Sequence, residues 1–132
     1  RIMPSFGTLK ADTLTHSTAG SVPTNFVVEG SSKMWTSINM ATPVIKDSLN
    51  TSSITDHDTG LFTKTATSAM NNGDYAVAAT NIGDTQGSYA LNLSAAGVAN
   101  TTTQHKYYTY NTVTDTQHDA TAAHTIVHGD LA

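Results

Sequence analysis

Short runs of alternating apolar and polar residues, separated by turn residues at regular spacing, occupy the chain from Lys33 onward. A period of two places successive side chains on opposite faces of a strand, so each run has one face suited to a core. The spacing predicts seven strands, near residues 33–40, 43–48, 61–67, 74–80, 87–93, 105–110 and 123–128. The breaks between them contain residues that tolerate positive φ: Asp58-Thr59-Gly60, Asn72-Gly73-Asp74, Gly83-Asp84 and Gly97.

This pattern predicts an all-β fold, an antiparallel β-sandwich of jelly-roll or Greek-key type over residues 32–132. No run supports a helix of three turns, because Thr, Ser and Asn fill positions where helix formers would be needed. The clearest predicted hairpin spans residues 74–93, where Tyr75, Val77 and Ala79 share one face. A body of about 100 residues has a modest core, so we expect oligomerisation to add stability.

Residues 1–31 differ from the rest, because proline or glycine interrupts every short apolar patch. We interpret this segment as an extended N-terminal arm with at most two short strands, near residues 8–14 and 26–28. Scattered apolar side chains in such an arm typically pack against a neighbouring subunit or an assembly surface. Leu9, Leu14 and Phe26 are the candidate anchoring residues. The alternative is a disordered tail, which is common at chain ends.

Composition excludes several kinds of partner. The 132 residues allow one domain of ordinary size, and six Lys/Arg against ten Asp/Glu give a net charge of −4 with no basic run. Binding to nucleic acid is therefore not expected, since no row of cations could neutralise phosphates. The sequence has no cysteine, which excludes disulfides and thiolate metal ligands. No stretch approaches the roughly 20 apolar residues that cross a bilayer, so membrane insertion is not expected.

Asp56-His57-Asp58 could orient a general base or bind a metal ion or a glycan. Adjacent residues in a strand point to opposite faces, so the three converge only if a turn bends them together. The Thr59-Gly60 that follows favours a polar turn, and we retain His57 and Asp58 as candidate receptor or glycan contacts. The sequence has no serine nucleophile elbow and no glycine-rich phosphate loop, so we expect neither a catalytic residue nor a cofactor.

Histidines are frequent in the C-terminal third, and they include His124 and His128. In a strand these two residues share a face but lie about 13 Å apart, too far to bind one metal ion within a chain. Around a threefold axis each would form a ring with its symmetry mates, and three imidazoles suit Zn, Ni or Fe. His124 and His128 are therefore candidate metal ligands only in a trimer. The alternative is that they are solvent-facing or packed histidines.

The run "QHKYYTY" at 104–110 places Tyr108 and Tyr110 on one strand face and Tyr107 on the other. Exposed tyrosines suit sugar stacking, since the ring is apolar and the hydroxyl forms hydrogen bonds. All three are candidate glycan contacts, although such a run is more often half core and half surface. Further candidate contacts lie in the predicted loops 56–60, 81–87 and 115–121, because loops on a rigid sheet carry most recognition.

Four segments contain distinctive motifs: "KMW" at 33–35, "VIKDSLNTSSITDHDTGLFT" at 44–63, "SAMNNGDYAVAAT" at 68–80 and the final "GDLA". They resemble a domain that recurs in tail-fibre and related structural proteins of tailed bacteriophages. That domain typically shows Lys-x-Trp, "IRDSFNVSSITDNGTGDYTV", "AM...YAV" and an end close to "GDLA", and the opening "GTLKADTLTHSTAG" resembles the start of phage fibre segments. Lys46, Leu49 and His57 depart from the usual Arg, Phe and Asn. Because the family usually has Asn where this chain has His57, the resemblance implies a turn position that does not require an imidazole.

The resemblance implies a non-enzymatic, trimeric structural protein of the phage virion. Its arm would anchor to other tail or capsid proteins, and its sandwich would attach to a host surface polysaccharide or outer-membrane protein. Two alternatives remain. One is a capsid decoration or head-fibre protein with the same fold. The other is an accessory carbohydrate-binding β-domain of a secreted glycosidase, which would be a monomer.

Overall fold

The computed structural model describes residues 10–82, 89–93 and 100–132, with the backbone alone for 89–93. The chain divides into two compact units, Arg1–Ser31 and Ser32–Ala132. The described residues form eleven strands and one short helix. Within those ranges no helix has the length and apolar character needed to cross a membrane.

In the first unit, strands β1 (Thr13–His16) and β2 (Gly20–Pro23) form an antiparallel hairpin. Helix α1 (Thr24–Gly30) follows β2 directly. The backbone N–H of Thr24 donates to the carbonyl of Asp12 at 2.9 Å, and its hydroxyl donates to the carbonyl of Ala11 at 2.6 Å. These two bonds hold the start of the helix to the residues just before β1.

The sequence-based description of this segment is wrong in two respects. Phe26–Val28, predicted as a strand, lies in α1, and residues 10–31 form a hairpin and a helix in place of an extended arm. Aromatic and β-branched residues favour strands. Here a helix begins at Thr24 despite those preferences. The φ of Pro23 is −57°, which suits the start of a helix, and Thr24 forms two hydrogen bonds to the residues before β1. The strand predicted near residues 8–14 overlaps β1 only at its end.

The second unit is an all-β sandwich of two antiparallel sheets, which confirms the predicted fold class. One sheet has four strands in the order β4-β3-β11-β7, and the other has the order β10-β9-β6-β5 with β8 also paired to β9. The strands are β3 (Met34–Asn39), β4 (Val44–Leu49), β5 (Thr51–Asp58), β6 (Leu61–Ala66), β7 (Ala76–Ile82), β8 (Tyr89–Leu93), β9 (Gln104–Asn111), β10 (Thr116–Gln117) and β11 (Ala122–His128).

The seven predicted strands are all present, but β5 and β10 were not predicted. The stretch around Asp56-His57-Asp58, predicted as a turn, is the end of β5, and the turn is confined to Thr59 and Gly60. The predicted hairpin over residues 74–93 is also wrong. β7 pairs with β11 in one sheet and β8 pairs with β9 in the other. Alternation shows that a segment is a strand but not which sheet it joins, so it does not distinguish this crossover from a hairpin.

Two apolar clusters fill the space between the sheets. One contains Ile38, Met40, Phe62, Tyr107, Ala120 and Ala123. The other contains Met34, Ala66, Met70 and Val127, with Tyr75 and Val77 packed against it. Inward residues alternate along the central strands, so β3, β6 and β11 each contribute one residue to either cluster.

A layer of polar side chains separates the two clusters. Lys64 on β6 lies between Phe62 and Ala66 and is paired in register with His105 on β9. On the facing sheet, Thr36 and Thr125 are paired in register. All four residues are 2% exposed or less. The Lys64 Nζ donates to the Thr125 hydroxyl at 2.6 Å, and this bond joins the two sheets.

Burial changes the acid–base properties of this layer. It lowers the pKa of Lys64 to about 7 from an ordinary value of 10.5. Burial, together with the charge of Lys64, lowers the pKa of His105 to about 4. Neither ring nitrogen of His105 has a hydrogen-bond partner within the described residues. An imidazole without a partner in a dry core is disfavoured in its charged form, which agrees with the direction of this shift.

We predict that the stability of the sandwich rises with pH above neutrality because of Lys64. The unfolded chain keeps the Lys64 proton up to a pKa of 10.5, whereas the folded chain releases it near 7. The unfolded state therefore binds more protons between these values, and the free energy of unfolding should gain roughly 2 kcal/mol from pH 7 to 9. Urea denaturation at each pH measures this gain.

Lys64→Met should abolish the rise, because a thioether side chain has no proton to release. Lys106→Met is the matched control, since Lys106 lies on the outer face of the same sheet and should leave the rise intact. A Lys64→Met protein that retains the full rise would show that another group is responsible.

Candidate functional site

The outer surface of the five-stranded sheet presents the aromatic residues that the sequence singled out. Along β9, the side chains of Lys106, Tyr108 and Tyr110 alternate with the buried ones and are half exposed. The rings of Tyr108 and Tyr110 meet edge to face with centroids 6.3 Å apart. We call the surface formed by His57, Asp58, Thr63, Lys106, Tyr108 and Tyr110 the tyrosine face.

Tyr110 is fixed by the turn between β9 and β10. Its hydroxyl donates a hydrogen bond to Asp115, whose Oδ1 and backbone oxygen both lie 2.7 Å away. Asp115 adopts a φ of +57°, a conformation that Asp tolerates better than most residues. The hydrogen bond to Asp115 is the main reason that the pKa of Tyr110 is raised. The ring is thereby held in one orientation beside Tyr108.

His57 and Asp58 reach the same surface from the neighbouring strands. Asp58 pairs in register with Leu61, and Leu61 pairs in register with Tyr108, so the three lie in one row across β5, β6 and β9. Spacing between strands of about 4.8 Å puts Asp58 roughly 10 Å from Tyr108. His57 occupies a bulge in β5, and its Nε2 lies 2.8 Å from the Thr63 hydroxyl. The structure therefore brings four of the predicted contacts onto one surface.

Gly60 makes this arrangement possible at the β5–β6 turn. Its φ is +69°, its N–H donates to Asp119 Oδ1 at 2.6 Å, and its carbonyl accepts the Thr109 N–H at 2.9 Å. A Cβ at this position would lie 2.7 Å from the Thr109 carbonyl oxygen and 2.9 Å from backbone atoms of His118. Only glycine fits at this position. Because residue 60 has no Cβ, the turn can close against the backbone of Thr109 and His118.

Tyr107, the third candidate glycan contact, is not part of this surface. Its side chain is 0% exposed and stacks between Phe62 and His105, at centroid distances of 6.3 and 5.8 Å. Burial raises the pKa of its hydroxyl. The prediction that Tyr107 contacts a glycan is therefore wrong, because the inward phase of β9 places this ring in the core.

His124 and His128 both lie on the outer face of the four-stranded sheet. Within the described residues, no group of three or more His, Cys, Asp or Glu side chains is placed to hold a metal ion. The two histidines occupy one strand face, as the sequence predicted, and a ring formed between chains stays a prediction.

The candidate anchoring residues are divided between described and undescribed parts of the chain. Leu14 is 38% exposed and Phe26 is 64% exposed, whereas Leu9 lies outside the described residues. Most of the candidate loop 81–87 also lies outside them. The candidate segment 115–121 supplies Asp115 and Asp119, which position Tyr110 and Gly60.

Sequence analysis missed two members of the tyrosine face. Lys106 could have been found, because it alternates with Tyr108 and Tyr110 along one strand. Thr63 could not, since its place depends on the pairing of β6 with β5 and β9.

Comparison with known proteins gives no match to a protein family, a curated protein or a solved structure. The function of this chain is therefore argued from the residues and geometry of the tyrosine face and from the sequence resemblance.

We predict that Gly60→Ala destabilises the sandwich by about 2 to 4 kcal/mol, because the new Cβ would meet backbone atoms and a positive φ. Chemical denaturation measures the loss. Gly30→Ala is the control, since no atom lies within 4 Å of its added Cβ, and it should cause no loss. Equal stability of Gly60→Ala and the parent chain would contradict the role given to this turn.

Proposed function

We propose that this chain is a non-enzymatic, tail-fibre-like structural protein of a bacteriophage virion, a homotrimer that binds a host surface polysaccharide through the tyrosine face. The observation that carries the proposal is the pair of outward tyrosine rings, held edge to face on a rigid sheet. The similarity of residues 33–80 to phage fibre proteins supports the virion setting.

The chemistry of the tyrosine face suits a sugar. A pyranose ring has one apolar C–H surface that can lie on the ring of Tyr108, and hydroxyls around its edge. Asp58 accepts hydrogen bonds from such hydroxyls, and Lys106 donates to them. His57 provides a polar border, and the buried hydroxyl of Thr63 lies in hydrogen-bond contact with its ring. The result is a shallow contact surface with aromatic and hydrogen-bonding groups on adjacent strands.

One shallow site of this kind binds weakly, and a fibre compensates by repetition. Three copies on one particle turn the second and third contacts into intramolecular events, which raises the overall affinity without a new contact. In a trimer, three weak tyrosine faces could therefore bind a repeating polysaccharide on the host surface at the same time. An outer-membrane protein that carries glycans would meet the same requirements.

The first unit is proposed to anchor the chain to other virion proteins of the tail or capsid. Five of its large apolar side chains are exposed, namely Leu14, Val22, Phe26, Val27 and Val28. Apolar surface left in water at this density in a small unit indicates an interaction surface. Anchoring to a capsid lattice would make the chain a decoration or head-fibre protein, with the same fold and the same first unit.

An accessory carbohydrate-binding domain of a secreted glycosidase is a second candidate, because it would use the tyrosine face in the same way. The two candidates differ in copy number, since the accessory domain would be a monomer. The native mass of the chain therefore separates them.

We predict that Tyr108→Ala weakens binding to an array of bacterial surface glycans about tenfold, because it removes the stacking ring. Val113→Ala is the control, since Val113 is an exposed apolar residue in the β9–β10 turn. Binding curves on the array glycan that the parent chain binds best give both affinities. Equal binding by Tyr108→Ala and the parent chain would contradict the proposed site.

A further inference from the structure

The segment between β6 and β7 contains the one asparagine of the chain that glycine follows, Asn72 before Gly73. In such a pair the backbone nitrogen of the glycine can attack the side-chain carbonyl carbon of the asparagine, because the glycine has no side chain to obstruct the approach. Asn72 is exposed, so water and hydroxide reach its carboxamide. Both residues lie outside the tyrosine face, and the structure around them favours this reaction.

A hydrogen bond across the segment holds the two reacting atoms in one place. The backbone N–H of Asp74 donates to Asn72 Oδ1 at 2.8 Å. This bond closes a small ring that contains both the Asn72 Cγ and the Gly73 nitrogen, as in an Asx turn. The carboxamide is therefore folded back over the peptide group that attacks it, and part of the entropy cost of bringing the two groups together is already met by the fold.

The same hydrogen bond activates the carboxamide. When the Gly73 nitrogen bonds to Asn72 Cγ, negative charge develops on Oδ1, and a donor already directed at that oxygen stabilises the charge. The Asp74 N–H is such a donor. It acts on the Asn72 side chain as an oxyanion-hole donor acts on the carbonyl of a bound substrate.

The attacking nitrogen is not held by a hydrogen bond. The backbone N–H of Gly73 has no acceptor within the described residues. By contrast, the N–H of Asn71 donates to the Asp130 carbonyl at 2.7 Å, and that of Asp74 donates to Asn72. Gly73 can therefore transfer its proton to hydroxide without breaking a hydrogen bond, and this transfer makes its nitrogen a nucleophile.

We propose that Asn72 is a site of self-modification, at which the folded chain converts asparagine into an aspartyl or isoaspartyl residue. The Gly73 nitrogen loses its proton and bonds to Cγ, the carboxamide C–N bond breaks, and ammonia leaves to give a succinimide. Water then opens this ring. Cleavage between Cγ and the ring nitrogen gives the aspartyl form, and cleavage between the backbone carbonyl carbon and that nitrogen gives the isoaspartyl form.

An isoaspartyl residue disturbs the packing on both sides of position 72, because it adds one methylene group to the backbone. After it, Gly73 lies so close to Asn100 that a Cβ on Gly73 would be 2.7 Å from the Asn100 carbonyl oxygen. Before it, Asn71 is bonded to Asp130. A longer backbone strains at least one of these contacts, so we expect the isoaspartyl form of the sandwich to be less stable than the parent chain.

Peptide mapping of the full chain by mass spectrometry, after incubation at mildly alkaline pH, tests the proposal. Asn72 should be the first asparagine to lose ammonia. It should react about tenfold faster in the folded chain than in a synthetic peptide of residues 68–78, since one fixed hydrogen bond to the transition state has about that effect on a rate. Asn72→Gln should leave position 72 unmodified, and Asn71→Gln is the matched control that should keep the parent rate at Asn72.

Two substitutions at Asp74 test the hydrogen bond itself. Asp74→Pro removes the backbone N–H and should slow the reaction of Asn72 about tenfold. Asp74→Ala removes only the side chain and should keep the parent rate. Far-UV circular dichroism verifies that both variants are folded. If Asp74→Pro does not fold, the comparison of the parent chain with the synthetic peptide decides the question.

Urea denaturation tests the effect on stability. An aspartyl residue leaves the backbone length unchanged and its carboxylate still accepts the Asp74 N–H, so Asn72→Asp measures the effect of the charge alone. Its midpoint should resemble that of fresh parent chain, whereas parent chain incubated until isoaspartate has formed should have a lower midpoint. Equal midpoints for fresh and incubated chains would contradict the expected strain.

The proposal is overturned if Asn72 reacts no faster in the folded chain than in the peptide, because the hydrogen bond would then hold the side chain away from the Gly73 nitrogen. It is also overturned if Asn71 reacts as fast as Asn72, or if a folded Asp74→Pro variant keeps the parent rate. None of these outcomes bears on glycan binding, which Tyr108→Ala tests separately.

Discussion

The hydrogen bond between the Lys64 amino group and the Thr125 hydroxyl is the interaction that most constrains how the two sheets pack. Apolar alternation alone does not fix their relative position, since a slip of two residues returns every side chain to the same face. Such a slip would move Lys64 into an apolar cluster, away from Thr125. An amine without a partner in that environment is strongly disfavoured. We infer that the polar layer selects one register between the sheets and gives up some stability in exchange.

The register set by this layer determines which residues reach the outside. With Lys64 and His105 directed inward, Thr63 and Lys106 are directed outward and pair across β6 and β9. The same phase turns Tyr108 outward and Tyr107 into the core. On the facing sheet, inward Thr125 requires that His124 and Ile126 lie on the outer surface. The polar layer within the core and the residues on both outer surfaces are therefore consequences of one packing choice.

Strands with an alternating apolar pattern could be predicted from the sequence, and strands without one could not. β5 has one inward apolar residue, Ile54, and its other side chains are mostly exposed Ser, Thr and Asp, so no periodicity marks it. The chain enters β5 through Asn50, whose φ of +56° turns it from one sheet into the other. The amide of Asn50 bonds the backbone of Ser68 through both its oxygen and its nitrogen. That corner depends on contacts distant in sequence, which local patterns do not contain.

For the candidate site, the sequence could not predict which face of β9 is buried. Alternation assigned Tyr107 and Tyr108 to opposite faces but did not say which face was buried. Lys106 offers a local argument, because lysine normally lies in water and would place its neighbour Tyr108 outside. The same argument applied to β6 would be wrong, since Lys64 is inward and 0% exposed. The phase of β9 follows from its pairing with β6 and from the threonines across the core. The tyrosine face therefore becomes identifiable only when the partner strands are known.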